Sequence, residues 1–427
     1  MSSAFESGSQ CPARCRSGSA TRNGREVMGR LIAVFKTSLL IAVISACTPP
    51  SDTSETVWQG QIDTLADGHT LVRNGDHGVW PSDVAWQIVE EVRIGAVDSD
   101  GPETFGSIVS LAVDRMDRVW VLDMQASELR VFDRNGVHVR SVGRSGAGPG
   151  EFRQPVRVDL SPEGQMWVVD PANARITTFD TAGNYVQSIR IPSSFSMLPW
   201  PGGFDHDGFY YAPLLRRRPF RVDLVRLTAG YEATDTLEVP TEPVEREEFT
   251  LTVDGAVQAD EPVPFQGHLA WRLSQAGTLW ALVTDQYRLF ELDASGDTLR
   301  EVTKTFDPIP VASPERVAAL EELESFTQAG GKIDLSRIPD HRPAVRSFFV
   351  DTAGDLWVER ATPYGDKRVT FDVFNSVGQY LGGVEMPFAL QMDPPPIIRG
   401  GMLYGVIRDS LDVQYVVRAR IAKPPGT

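Results

Sequence analysis

The chain has 427 residues, 41% hydrophobic and 23% charged, with 37 Gly and 30 Pro and a formal net charge of −16. That balance is ordinary for a globular protein but rich in turn residues, which points to an all-β fold long enough to bury a large core. The excess of acid repels phosphate backbones and no basic stripe interrupts it, so nucleic acid is not an expected partner; Arg216 to Arg218 reads as a solvated loop.

The first apolar run, Leu39 to Ala46, follows Arg30 and Lys36 and ends at Ser45, Ala46 and Cys47. It is too short to span a bilayer, and a basic region, a short apolar core and small residues at the end make a secretory signal. A cysteine directly after those small residues resembles the bacterial lipobox. Cys47 is therefore the expected lipidation site and mature N-terminus. Met28 is the expected start, since residues 1–27 add nothing to a signal; Cys11 and Cys15 would then be lost, and their spacing has no second half for a metal site. The mature chain would hold no internal disulfide. Thr48 stands where an Asp would resemble an inner-membrane retention cue, so the expected location is the cell envelope, at the outer membrane where the host has one. The predicted organisation is a signal region at 1–47, a disordered tether at 48–56, a lead-in at 57–83, one folded domain at 84–421 and a tail at 422–427.

Within that domain one unit recurs. The stretch Val113 to Asp123 returns as Leu160 to Asp170 and as Val350 to Glu359, with weaker copies at Phe204–Tyr210, Ser274–Trp280 and Ile398–Tyr404. The expected aromatic anchors are Trp120, Trp167, Tyr210, Trp280, Trp357 and Tyr404, at intervals of 47, 43, 70, 77 and 47 residues. A spacing in the forties suits a four-stranded propeller blade, and the two long intervals read as blades followed by insertions. Each unit runs as an apolar strand, a turn, a Trp-Val strand, an alternating strand, a hairpin turn with glycine such as Gly136 or Gly183, and a fourth strand. The last unit has chain for only three strands. Trp86 to Ile94 is expected to complete it and so remove a free sheet edge.

The Asp-to-Trp unit and the G-x-G-P-G-E-F tail at Gly146–Phe152 resemble NHL-type repeats, and the layout resembles bacterial six-bladed propeller lipoproteins with a TolB-like fold. The resemblance covers nearly all of the folded part. It implies a six-bladed β-propeller with four antiparallel strands per blade, to which the residues themselves add a last blade closed by an N-terminal strand and one short helical insertion between blades four and five.

Gly143 to Gly150 lacks the lysine and helix of a phosphate loop, and Gly143-Arg144-Ser145 lacks the second glycine of a nucleophile elbow. Both read as turns. Asp123 and Asp170, repeated at matching positions, are expected to bond turn backbone. Propeller enzymes of this class, lactonases and amidating lyases among them, resemble one another in holding a metal at the central channel. The histidines near the predicted inner strands are His206, His268 and His341, which with calcium or zinc would make a metal-dependent hydrolase or lyase. Arg157, Asp159, Arg272 and Arg346 also fall on inner strands, as inter-blade salt bridges or channel-face groups. Ser313-Pro314-Glu315 opens a predicted helix that ends at Gly330-Gly331 and, with a flap at Glu242 to Pro264, is expected to cover part of the channel mouth. The leading expectation is a noncatalytic, lipid-anchored envelope propeller that binds a small ligand or a protein partner at its channel face. The alternative is metal-dependent catalysis in that channel.

Overall fold

A computed structural model describes residues 58–81, 85–191, 199–217, 220–241 and 246–424. Cys47, the rest of the signal region and the tether at 48–56 lie outside the described residues.

The order begins with β1 (Gln61–Thr64), β2 (Thr70–Asn74) and β3 (Gln87–Ile94). Blade one is β4 (Ile108–Val113), β5 (Val119–Asp123), β6 (Glu128–Phe132) and β7 (His138–Val142). Blade two is β8 (Arg157–Leu160), β9 (Met166–Asp170), β10 (Arg175–Phe179) and β11 (Tyr185–Arg190). Blade three is β12 (Gly203–Phe204), β13 (Tyr210–Arg217), β14 (Phe220–Leu227) and β15 (Ala233–Leu237). A separate hairpin follows, β16 (Glu248–Val253) with β17 (Ala256–Pro262). Blade four is β18 (Leu269–Leu273), β19 (Leu279–Val283), β20 (Arg288–Leu292) and β21 (Thr298–Lys304). Two helices, α1 (Ser313–Glu322) and α2 (Glu324–Gln328), lead to blade five: β22 (Val345–Val350), β23 (Leu356–Arg360), β24 (Val369–Phe374) and β25 (Tyr380–Met386). Blade six is β26 (Ile397–Arg399), β27 (Met402–Arg408) and β28 (Gln414–Ala422), with β3 as its outer strand. The chain is a six-bladed β-propeller.

Its sheets are buried on both faces because each packs between two others, so the second strands read as unbroken apolar runs and β5, β9 and β19 are buried throughout. Alternate side chains along such a strand face opposite neighbours. Val119 packs toward blade six and Trp120 toward blade two. The pattern repeats around the ring: Trp167 packs on blade three, Trp280 on blade five, Trp357 on blade six and Tyr404 on blade one.

Blade three departs from its predicted register by one residue. Tyr210 faces back toward Trp167, and Tyr211 is the anchor that packs on blade four. The turn shows why. Asp114 accepts the N–H groups of Met116 (2.8 Å) and Arg118 (3.1 Å) and the Trp120 indole N–H (2.9 Å). Asp351 likewise accepts from Ala353, Asp355 and, at 3.3 Å, Trp357. Asp205 is the equivalent carboxylate, taking the Phe209 N–H at 2.8 Å and the Tyr211 hydroxyl at 3.0 Å. Two adjacent tyrosines made the aromatic position ambiguous; the aspartate six residues before it resolves it.

Asp123 and Asp170 bond backbone, though of the loop entering their own blade: Asp123 accepts from Gly106 (2.9 Å) and Ser107 (3.0 Å), Asp170 from Arg153 (2.9 Å) and Gln154 (3.0 Å). The glycine-rich tail is a closed turn. Glu151 accepts the Gly148 N–H at 2.7 Å and pairs with Arg144, Arg175 donates to the carbonyls of Ala147, Gly148 and Glu151, and Phe152 is buried against Phe179.

The N-terminal part runs as a strap across three blades. β2 pairs parallel with β21, making blade four six-stranded with β1 outermost. Asn74 ties that edge to blade five, accepting from Trp58 Nε1 (3.0 Å) and the Tyr380 N–H (2.8 Å) and donating to the carbonyls of Thr303 and Gly378. Val79 and Trp80 donate backbone N–H groups to Tyr380 and Leu381 of β25. β3 then pairs antiparallel with β28.

The helical insertion is two short helices broken at Leu323. Ser313, the predicted cap, is itself helical. Ala312 holds the extended cap position, and Glu315 accepts its N–H at 2.9 Å. Leu323, Phe326 and Ile338 form a small core with Phe249 and Val263 of the hairpin segment, and Arg337 joins the two through Glu247 at 2.8 Å.

Candidate functional site

The inner strands of all six blades converge on a central cavity of about 1070 Å³. Its wall comprises β8, β12, β18 and β26, the ends of β4 and β22, and the Pro-rich segments at 199–202 and 393–396 that lead into two of those strands. Prolines there fix the backbone as it enters two of the inner strands. Gly203 lies in the wall, and a Cβ at that position would stand 3.3 Å from Arg157 Nη2 and 3.7 Å from Asp159 Oδ1.

Of the residues singled out by sequence, Arg157, Asp159, Arg272 and His206 line this cavity. Arg157 grips one oxygen of Asp159, with Nε at 2.9 Å and Nη2 at 2.8 Å. The other oxygen, Asp159 Oδ2, is closed off from solvent and has no hydrogen-bond partner. Burial pushes the Asp159 carboxyl up, and Arg157 opposes that shift. Arg272 donates to the Trp271 carbonyl at 3.0 Å and stands 3.9 Å from Asp393, while its Nε has no partner. Burial pulls the Arg272 guanidinium below its ordinary value, offset by Asp393. His206 is exposed at the rim; its bond to the Gln275 carbonyl raises its pKa, helped by Asp207.

The other three residues lie elsewhere. His268 precedes β18, where its N–H bonds Thr284 Oγ1 at 2.9 Å. His341 lies before β22 and is bridged by backbone to Pro310. Arg346 pairs with Glu359 at 3.3 Å beside a separate cavity of about 270 Å³ on blade five. The three histidines are thus not gathered, and among the described residues no three His, Cys, Asp or Glu side chains form a group suited to a metal ion. No residue of the hairpin β16–β17 or of α1 and α2 lines the central cavity.

Sequence reasoning missed Trp200, Trp271 and Asp393 as site residues. The available signal was Pro199 to Gly203 and Asp393 to Pro396, proline-dense segments entering inner strands.

Residues 104–216 match a family described as 6-bladed beta-propeller (DUF5128), which agrees with the ring seen here. No curated protein matches the sequence. Among solved structures, the chain is similar to an exported protein of Bacteroides fragilis (11% identity, 83% of this chain and 100% of that one, TM-score 0.44). It is also similar to virginiamycin B lyase from Staphylococcus aureus (12% identity, 79% and 99%, TM-score 0.42) and to the PQQ-bound aldose sugar dehydrogenase of Streptomyces coelicolor (10% identity, 79% and 99%, TM-score 0.39).

Proposed function

We propose that this propeller binds a small ligand in its central channel without transforming it, and that acylation of Cys47 holds it in the cell envelope. The observation that carries the binding reading is a cavity of about 1070 Å³, at the upper end of the usual range for small-molecule sites, lined by apolar surface together with the charged residues Arg157, Asp159 and Arg272. The anchoring reading is supported by the basic, apolar and small-residue sequence that ends at Cys47.

Gly203→Phe tests the first reading, because the ring would project into the cavity beside Arg157 and Asp159. Thermal-shift screening of the full chain against a metabolite collection should yield ligands that raise the melting temperature, with that rise lost in Gly203→Phe. Ligand shifts unchanged by the plug would overturn channel binding.

A further inference from the structure

We propose that Asn135 is a site of spontaneous deamidation, and that the isoaspartate it yields loosens the seam of the ring. The chain holds three Asn-Gly pairs, at 23–24, 74–75 and 135–136, the first of them outside the described residues. A glycine after asparagine lets the backbone nitrogen approach the side chain, because no Cβ stands in its way. Attack of the Gly136 nitrogen on Asn135 Cγ closes a five-membered imide and expels the side-chain amide as ammonia, which takes the nitrogen's proton. Water then opens the imide at either carbonyl, leaving an aspartate or an isoaspartate whose backbone runs through the side-chain carbons.

The two described pairs differ in what holds them. Asn74 is buried, and its amide accepts from Trp58 and Tyr380 and donates to Thr303 and Gly378. All four bonds must break before its Cγ can turn. Asn135 is exposed in the β6–β7 turn, where its amide reaches the Asp133 carboxylate and the Gly136 N–H makes one backbone bond, to the Asp133 carbonyl at 2.9 Å. The matching turns of blades two, four and five carry Ala182, Ser295 and Val377 before their glycines, so the labile pair is peculiar to blade one.

That turn touches the closure of the ring. Gly136 has a φ of +81°, and a Cβ there would stand 2.6 Å from Val92 Cγ1 and 3.2 Å from Ile94 Cγ1 of β3, the strand that completes blade six. Both side chains pack in the core shared with Phe132 of blade one. An isoaspartate lengthens the backbone by one atom immediately before this contact, where close packing leaves no room to take it up.

The full chain is held at mildly alkaline pH beside a free peptide of residues 131–139, and both are mapped by mass spectrometry. Asn135 is expected to convert within about tenfold of the peptide's rate and Asn74 at least about a hundredfold more slowly, its four bonds making the difference. The converted protein should melt lower than the fresh one. Asn135→Ala, which borrows the residue of the blade-two turn, should keep its melting temperature through the same treatment. Asn135 reacting as slowly as Asn74 would overturn the site. Conversion at an unchanged melting temperature, or a fall shared by Asn135→Ala, would overturn its effect on the seam.

Discussion

The turns of the blades and the wall of the channel both bury carboxylates and arginines, but they treat them differently. In the turns, Asp114 accepts four hydrogen bonds, two from backbone and two from the side chains of Arg118 and Trp120. In the wall, Asp159 has one oxygen held and one bare, and Arg272 leaves its Nε unbonded. A polar group saturated within its own blade serves the fold. Asp159 and Arg272 instead stand in the wall of the cavity where six blades meet, the place that the channel-binding reading needs.

The largest effect should come from breaking a saturated turn. Asp114→Ala strands two backbone N–H groups and the indole N–H of a fully buried tryptophan, and should cost about 3 kcal/mol, read as a lower urea midpoint at unchanged slope. A loss below about 1 kcal/mol would erase the distinction between turn and wall. The opposite sign is expected in the channel. Arg272→Met removes a poorly compensated buried cation and should leave stability unchanged or raise it by about 1 kcal/mol, measured by the same titration.

The smallest effect is one of pH. Asp355, beside Asp351 in the inner turn of blade five, is pushed up to about 6 by burial and then by its neighbour's charge. The folded state therefore holds the proton more tightly than the unfolded chain, and stability falls as pH rises from near 4 through 6. Asp355→Asn should match the parent at pH 4 and exceed it in melting temperature at pH 7, by an amount kept small because Asp355 is only partly buried. Equal melting temperatures at pH 7 would show that the turn carries no such tension.

What the sequence made legible follows from the same contrast. An aspartate that bonds an aromatic six residues later is a local device, so Asp114 with Trp120 and Asp351 with Trp357 announce a blade by themselves. Where Tyr210 and Tyr211 competed for that role, the hydrogen bond from the Tyr211 hydroxyl to Asp205 decided it. The channel has no local device. Arg157 and Arg272 come from inner strands of different blades, and Asp393 reaches Arg272 from more than a hundred residues away, so only the closed ring shows which side chains share a cavity. His268, His341 and Arg346 lay close to inner strands in sequence, yet none reaches the cavity wall. The pairing of helix and hairpin was hidden for the same reason: Phe249 and Phe326 meet only across blade four.

The strap has a mechanical consequence. A pull from the N-terminal side is transmitted first to the hairpin lashed to β21, next to the backbone bonds of Val79 and Trp80 with β25, and only after these yield to the closing strand β3. Two sacrificial fastenings thus stand in series before the seam. If Cys47 tethers the protein to a surface that moves or is sheared, the ring is shielded by the order in which its chain is threaded, and the first turn to peel is the one farthest from the joint that keeps the propeller closed.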